Sequence, residues 1–135
     1  NNIHMNLIIE GDVIPMSKSP DELFAFFSKP ANFAEIMPED IGKFEAGEDW
    51  FIFGLKGMPD VKLKVAELVP GKLIHLVSAS DKIPFSLKAN FESQDQGCTA
   101  QLNFEGDFNP MLKMMVERPL KSFLGKLSEK LKAHS

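Results

Sequence analysis

Residues 109–127, NPMLKMMVERPLKSFLGKL, decide how this chain folds. Asn109 is a good N-cap and Pro110 suits the first helical position, so a helix begins here. On a helical wheel Leu112, Val116, Leu120, Phe123, Leu127 and Leu131 fall on one stripe, with Pro119 and Leu124 beside it. Such a stripe faces a core. Met111 and Met115 widen it on one flank, toward the front only, and Met114 points roughly the other way. Pro119 lacks the backbone N–H of an interior helical residue, so it should kink the helix or mark its weakest point. A kinked helix cannot lie flat along a sheet, and its methionine-rich front half is expected to stand off. Methionine fills irregular core gaps, or it lines an adaptable apolar pocket; both readings remain open.

The chain upstream supplies the sheet. LIIEGDVIPM (7–16) reads as a strand. Ser19, Pro20 and Glu22 form a helix start with a capping box, and the helix ends before Pro30. ANFAEIMP (31–38) suits a second short helix. From Lys43 the apolar period changes from helical to alternating. KFEAGEDWFIFGL (43–55) reads as a hairpin with Gly47-Glu48 as its loop, pairing Phe44 with Phe51. Four further strands follow, over 61–69, 72–80, 84–93 and 99–108. Six strands joined by short turns make an antiparallel sheet, and no crossover helix is available for a parallel one. The fold class is α+β: six to seven strands, two short helices and a long C-terminal helix over the packed face.

Bulk properties narrow the function. The chain has 135 residues, 44% hydrophobic and 25% charged, as in one globular domain, expected over residues 6–134. NNIHM at the start reads as an expression scar ahead of a native Met5. A net charge of −4 with interspersed lysines argues against nucleic acid as a partner. The single cysteine, Cys98, excludes an internal disulfide and suits a reducing cytoplasm. No apolar run approaches the length of a membrane span.

The quoted helix, together with GDVIPMSKSPDELFAFFSKPANFAEIMP (11–38) and VAELVPGKLIHL (65–76), resembles the helix-grip fold of the START-like superfamily. That superfamily includes the birch-pollen allergens and the polyketide cyclase/dehydrase-type proteins. The resemblance covers residues 6–133 and is specific for fold rather than function. It implies a helix gripping a curved sheet over a cavity for lipids, hormones, pigments or polyketides. The expected ligand is a small apolar or amphipathic molecule, walled by Phe33, Ile36, Met37, Phe51, Phe53, Phe85, Leu87, Phe104, Met111, Met115 and Pro119. Twelve phenylalanines and no tyrosine suit a greasy interior with few polar anchors. Entry would be gated by the second short helix and the LKGMPD loop (55–60).

Catalysis has thin support. No metal-ligand spacing, phosphate loop or nucleophile elbow is present, and no cofactor is expected. The weak candidates are Glu67 and His75. A two-residue Pro70-Gly71 turn would pair His75 with Ala66, facing outward, and put Glu67 inward beside Ile74. A buried carboxylate there would be costly or protonated, unless a bulge turned it out. On opposite faces the two could not act together. Arg118 reads as a solvated helix residue or a cap on a ligand carboxylate, and Asp107 as a helix cap. Trp50 and Ile52 would lie on the wetted face and, with Leu73 and Val77, could mark a homodimer or partner contact. The alternatives to a binding protein are a polyketide cyclase or dehydrase, and a protein-docking module like the chaperone-ATPase activators that share this fold.

Overall fold

The computed structural model describes residues 5–79 and 84–134; the residues before Met5 that read as a scar lie outside them. Eight antiparallel strands form one sheet: β1 (Met5–Glu10), β2 (Ile14–Met16), β3 (Lys43–Ala46), β4 (Trp50–Gly54), β5 (Val61–Val69), β6 (Leu73–Ser78), β7 (Phe85–Gln94) and β8 (Gly97–Phe108). Their order is β1-β8-β7-β6-β5-β4-β3, and β2 pairs with β8 beside β1. Helix α1 (Pro20–Phe27) and a 3₁₀ helix (Pro30–Ile36) connect β2 to β3, and helix α2 (Pro110–Lys132) closes the chain.

Local chemistry sets these boundaries. Ser19 Oγ accepts from Glu22 N at 3.1 Å, and Asn109 Oδ1 accepts from Leu112 N at 2.8 Å, so each α-helix begins at a side-chain cap. The expected strand over 7–16 is broken in two. At Gly11 the backbone N–H donates to Leu102 O at 2.8 Å, and an added Cβ would lie 2.6 Å from that same oxygen. Only glycine lets the chain approach β8 so closely while it turns from β1 into β2.

Two pairings differ from expectation. Phe44 pairs with Phe53 rather than Phe51, because the hairpin turns through Glu48-Asp49 and Gly47 N–H donates to Trp50 O at 2.9 Å. A shift of two residues preserves the face, so Phe44, Phe51 and Phe53 still point the same way. Between β5 and β6 the register slips at Ala66, and Glu67 pairs with His75. This bulge places one extra residue on β5 and turns Glu67 to the outer face.

α2 runs unbroken through Pro119 and packs on β8, β1, β2 and the 3₁₀ helix. Its burial is lopsided. From Leu120 onward it buries Leu120, Phe123, Leu124, Leu127, Ser128 and Leu131, whereas its front half buries Val116 alone, with Leu112 half-buried.

Candidate functional site

The space between sheet and α2 is occupied by aromatic rings. Phe44, Phe51, Phe53, Phe123, Phe104 and Phe85 form a continuous ladder with successive centroids 5.5, 6.1, 4.8, 6.1 and 5.5 Å apart. Phe33 stacks on Phe51 from the 3₁₀ helix at 4.9 Å. These spacings lie in the range where rings attract one another. Ile36, Met37 and Leu87 complete the packing, each at most 6% exposed. A void lined by residues such as Phe27, Phe33, Phe91 and Leu131 measures about 10 Å³, about the space of a single water. Eight of the expected wall residues thus meet one another as core.

The other three lie elsewhere. Met111 is 79% exposed and Met115 48%. The helical wheel explains this: Met111 sits about 140° around the helix from buried Val116 and Met115 about 100°, both on the side away from Leu120 and Leu124. They lie on the outer side of α2 rather than on a flank of its core stripe. Pro119 is half-buried and lines a recess of about 160 Å³ with Pro38, Asp40, Leu55, Lys56, Ser122, Phe123 and Lys126. The floor of this recess is Phe123, the central ring of the ladder.

Three elements meet at this recess. Pro38 follows the 3₁₀ helix, Leu55 and Lys56 begin the loop after β4, and Pro119 and Phe123 belong to α2. Pro119 has no N–H to offer the Met115 carbonyl four residues back, so α2 lacks a backbone hydrogen bond at the rim. The polar side of the mouth carries Lys56, Ser122 and an ion pair, Lys126 Nζ donating to Asp40 Oδ2 at 2.9 Å, which holds the Asp40 carboxyl below its ordinary pKa. The recess is therefore a slot of mixed character, with Pro38, Leu55, Pro119 and Phe123 as its apolar lining and Asp40, Lys56, Ser122 and Lys126 as its polar lining.

The weak catalytic candidates lie far from it. Glu67 is exposed and His75 half-buried, facing each other across β5 and β6 on the outer side of the sheet. His75 faces outward as expected, and a bulge turns Glu67 out, the alternative to a buried carboxylate; the corrections are that His75 pairs with Glu67 rather than Ala66 and that the two share one face. Burial, with Lys88 beside it, pushes the His75 imidazole below its ordinary pKa against the opposing pull of Glu67 and Glu105. Among the described residues, no group of three or more His, Cys, Asp or Glu could hold a metal ion.

Cys98 is buried, which raises its thiol pKa. Arg118 is exposed. Trp50 and Ile52 are half-buried, and the Lys62 ammonium sits 4.5 Å over the Trp50 ring. That lysine covers part of the apolar patch expected there. His134 rests 5.9 Å from the ring of Phe26.

Comparison with known proteins places the architecture. No protein-family model and no curated protein matches the chain. Among solved structures, norcoclaurine synthase from Thalictrum flavum, a point mutant with a transition-state analogue, superposes with a TM-score of 0.68 at 14% identity, over 100% of each chain. The di-domain ARO/CYC protein StfQ of the steffimycin biosynthetic pathway gives 0.70 at 12% identity, over 96% of this chain and 50% of its own. The Aha1 dimer from Colwellia psychrerythraea gives 0.60 at 17% identity, over 93% of each chain. The chain has the α+β helix-grip fold that these structures share. The likeness carries the fold alone, since the identities are low. No helix of the described residues is long and apolar enough to cross a membrane.

Proposed function

We propose that this protein binds a small apolar or amphipathic molecule between its sheet and α2, admitted at the recess between Pro38, Leu55 and Pro119. The carrying observation is the position of Phe123, which is both the floor of that recess and the centre of the ring ladder. Moving this one side chain joins the outer recess to the interior. The missing backbone bond at Pro119 makes the adjoining part of α2 the easiest to displace.

Magnitudes constrain how binding proceeds. Opening an empty apolar cavity of roughly 300 Å³, at the small end of ligand pockets, would cost about 7 kcal/mol at roughly 24 cal/mol per Å³. That rivals the whole stability of a small domain. The cavity therefore forms around its occupant, which replaces the lost ring contacts with its own. Neighbours of the same fold, norcoclaurine synthase in complex with dopamine and hydroxybenzaldehyde and the ARO/CYC protein of the steffimycin biosynthetic pathway, are consistent with small-molecule binding.

A second reading is favoured by the filled ladder itself. A core packed this tightly suits a module that docks other proteins by its surface, as the chaperone-ATPase activators of this fold do. An enzyme of the cyclase type has less support, because Glu67 and His75 lie on the outer face.

Mass spectrometry of the purified protein, native and then denatured with solvent extraction, separates the readings. A reproducible small molecule carried only by the native protein supports binding. A clean unliganded mass that stays unliganded on mixing with apolar molecules sinks the binding reading and favours the docking module.

A further inference from the structure

The outer side of α2 is divided. Met111, Met114 and Met115 are 79%, 84% and 48% exposed. Spaced i, i+3 and i+4, they share one arc about 100° wide. Arg118 falls within the same arc, and Lys121 at its edge. Further along this side the helix turns polar, with Ser122, Gly125 and Glu129. The apolar arc is thus confined to the front half, beside the recess at Pro119.

Exposed methionines disfavour open water, and the charge around them selects what they would rather meet. Residues 110–121 carry three basic side chains, Lys113, Arg118 and Lys121, against one acid, Glu117. Glu117 lies between Lys113 and Lys121, at 3.0 and 3.1 Å, which leaves the Arg118 guanidinium beside the methionines. The positive end of the helix dipole adds to this local field. The chain as a whole carries −4, and the back-half lysines Lys126 and Lys130 are paired with Asp40 and Glu39, so a negative surface favours the methionine-bearing front of α2.

We propose that the front half of α2 is a docking surface for an anionic lipid bilayer. Met111, Met114 and Met115 enter the acyl boundary, and Arg118 pairs with headgroup phosphate. This deepens the binding reading and rests on it for its purpose. It sets the mouth at Pro119 against the medium in which an apolar ligand dissolves, so that the ligand need not cross water.

The test is co-sedimentation of the full chain with vesicles of phosphatidylcholine alone, and with about 30% phosphatidylglycerol added. The expected result is adsorption to the mixed vesicles only, weakened by salt. Met114→Ser should lower the partition coefficient about tenfold, and Arg118→Gln about fivefold. Lys132→Gln, at the far end of α2, should leave it unchanged. Absence of adsorption, equal adsorption to both vesicles, or adsorption indifferent to Met114→Ser and Arg118→Gln overturns the inference. Dye binding without vesicles reads the pocket separately, so either idea can fail while the other stands.

Discussion

The ring of Phe123 stacks on that of Phe53 at 4.8 Å and 17° between planes, tying the middle of α2 to β4, one strand in from the edge of the sheet. Both side chains are buried, Phe53 completely. Fold stability and access to the interior thus depend on the same contact. Phe123→Ala should cost about 3–5 kcal/mol, in the range for a buried phenylalanine. It should also connect the recess to the interior and strengthen binding of an apolar dye. Denaturant unfolding and dye titration on one preparation check both. A large stability loss without tighter dye binding would mean that the neighbours collapse into the space.

Pro119→Ala restores an N–H that the Met115 carbonyl can accept. Proline in a helix interior costs about 3 kcal/mol relative to alanine, and part of this should return as stability. The front half of α2 should also open less often. A higher melting temperature with slower dye uptake is expected. A loss of stability would show that the packing of the proline ring against the recess outweighs the missing hydrogen bond.

His75 should titrate below its ordinary value, since burial and Lys88 both disfavour the imidazolium. The unfolded chain then binds the proton more readily than the folded one, so His75 contributes stability above pH ~6.5 that is lost as pH falls toward its folded value. Lys88→Gln should raise the His75 pKa and Glu67→Gln should lower it. An NMR pH titration of the imidazole reads both. Equal pKa values in all three proteins would contradict the pairing of Glu67 with His75.

Gly11→Ala tests the break between β1 and β2. A methyl group would lie 2.6 Å from Leu102 O and 3.1 Å from Ser128 Oγ, so the close approach to β8 must loosen. A loss of about 1–3 kcal/mol is expected, as for other overpacked sites. An unchanged unfolding midpoint would remove the reason for glycine there.

The architecture was legible because its signals are local and redundant. Ser19-Pro20 and Asn109-Pro110 mark helix starts by side-chain chemistry, and the faces of β3 and β4 survive a hairpin register that is off by two residues. The bulge at Ala66 left only an indirect mark, the cost of burying the Glu67 carboxylate, which asks for a bulge without fixing its position. Val65, Ala66 and Glu67 suit either register, and one extra residue flips everything after it. The methionines misled for a different reason: their apolar chemistry favoured a flank of the core stripe, although the wheel already sets Met111 and Met115 at least 100° from Val116. Whether the interior is open or filled is a question of volume, settled by how Phe33, Phe51, Phe53, Phe104 and Phe123 interleave. No spacing along the chain encodes that.

The most direct test of the binding account is a titration of the amphipathic dye anilinonaphthalene sulfonate into three folded proteins: wild type, Phe123→Ala and Ser122→Trp. Ser122 is exposed at the recess, so an indole there should stopper the mouth without disturbing the core. The account predicts saturable one-to-one binding to wild type, tighter binding to Phe123→Ala and little or none to Ser122→Trp, with circular dichroism unchanged. Identical binding in all three, or none in any, would contradict it.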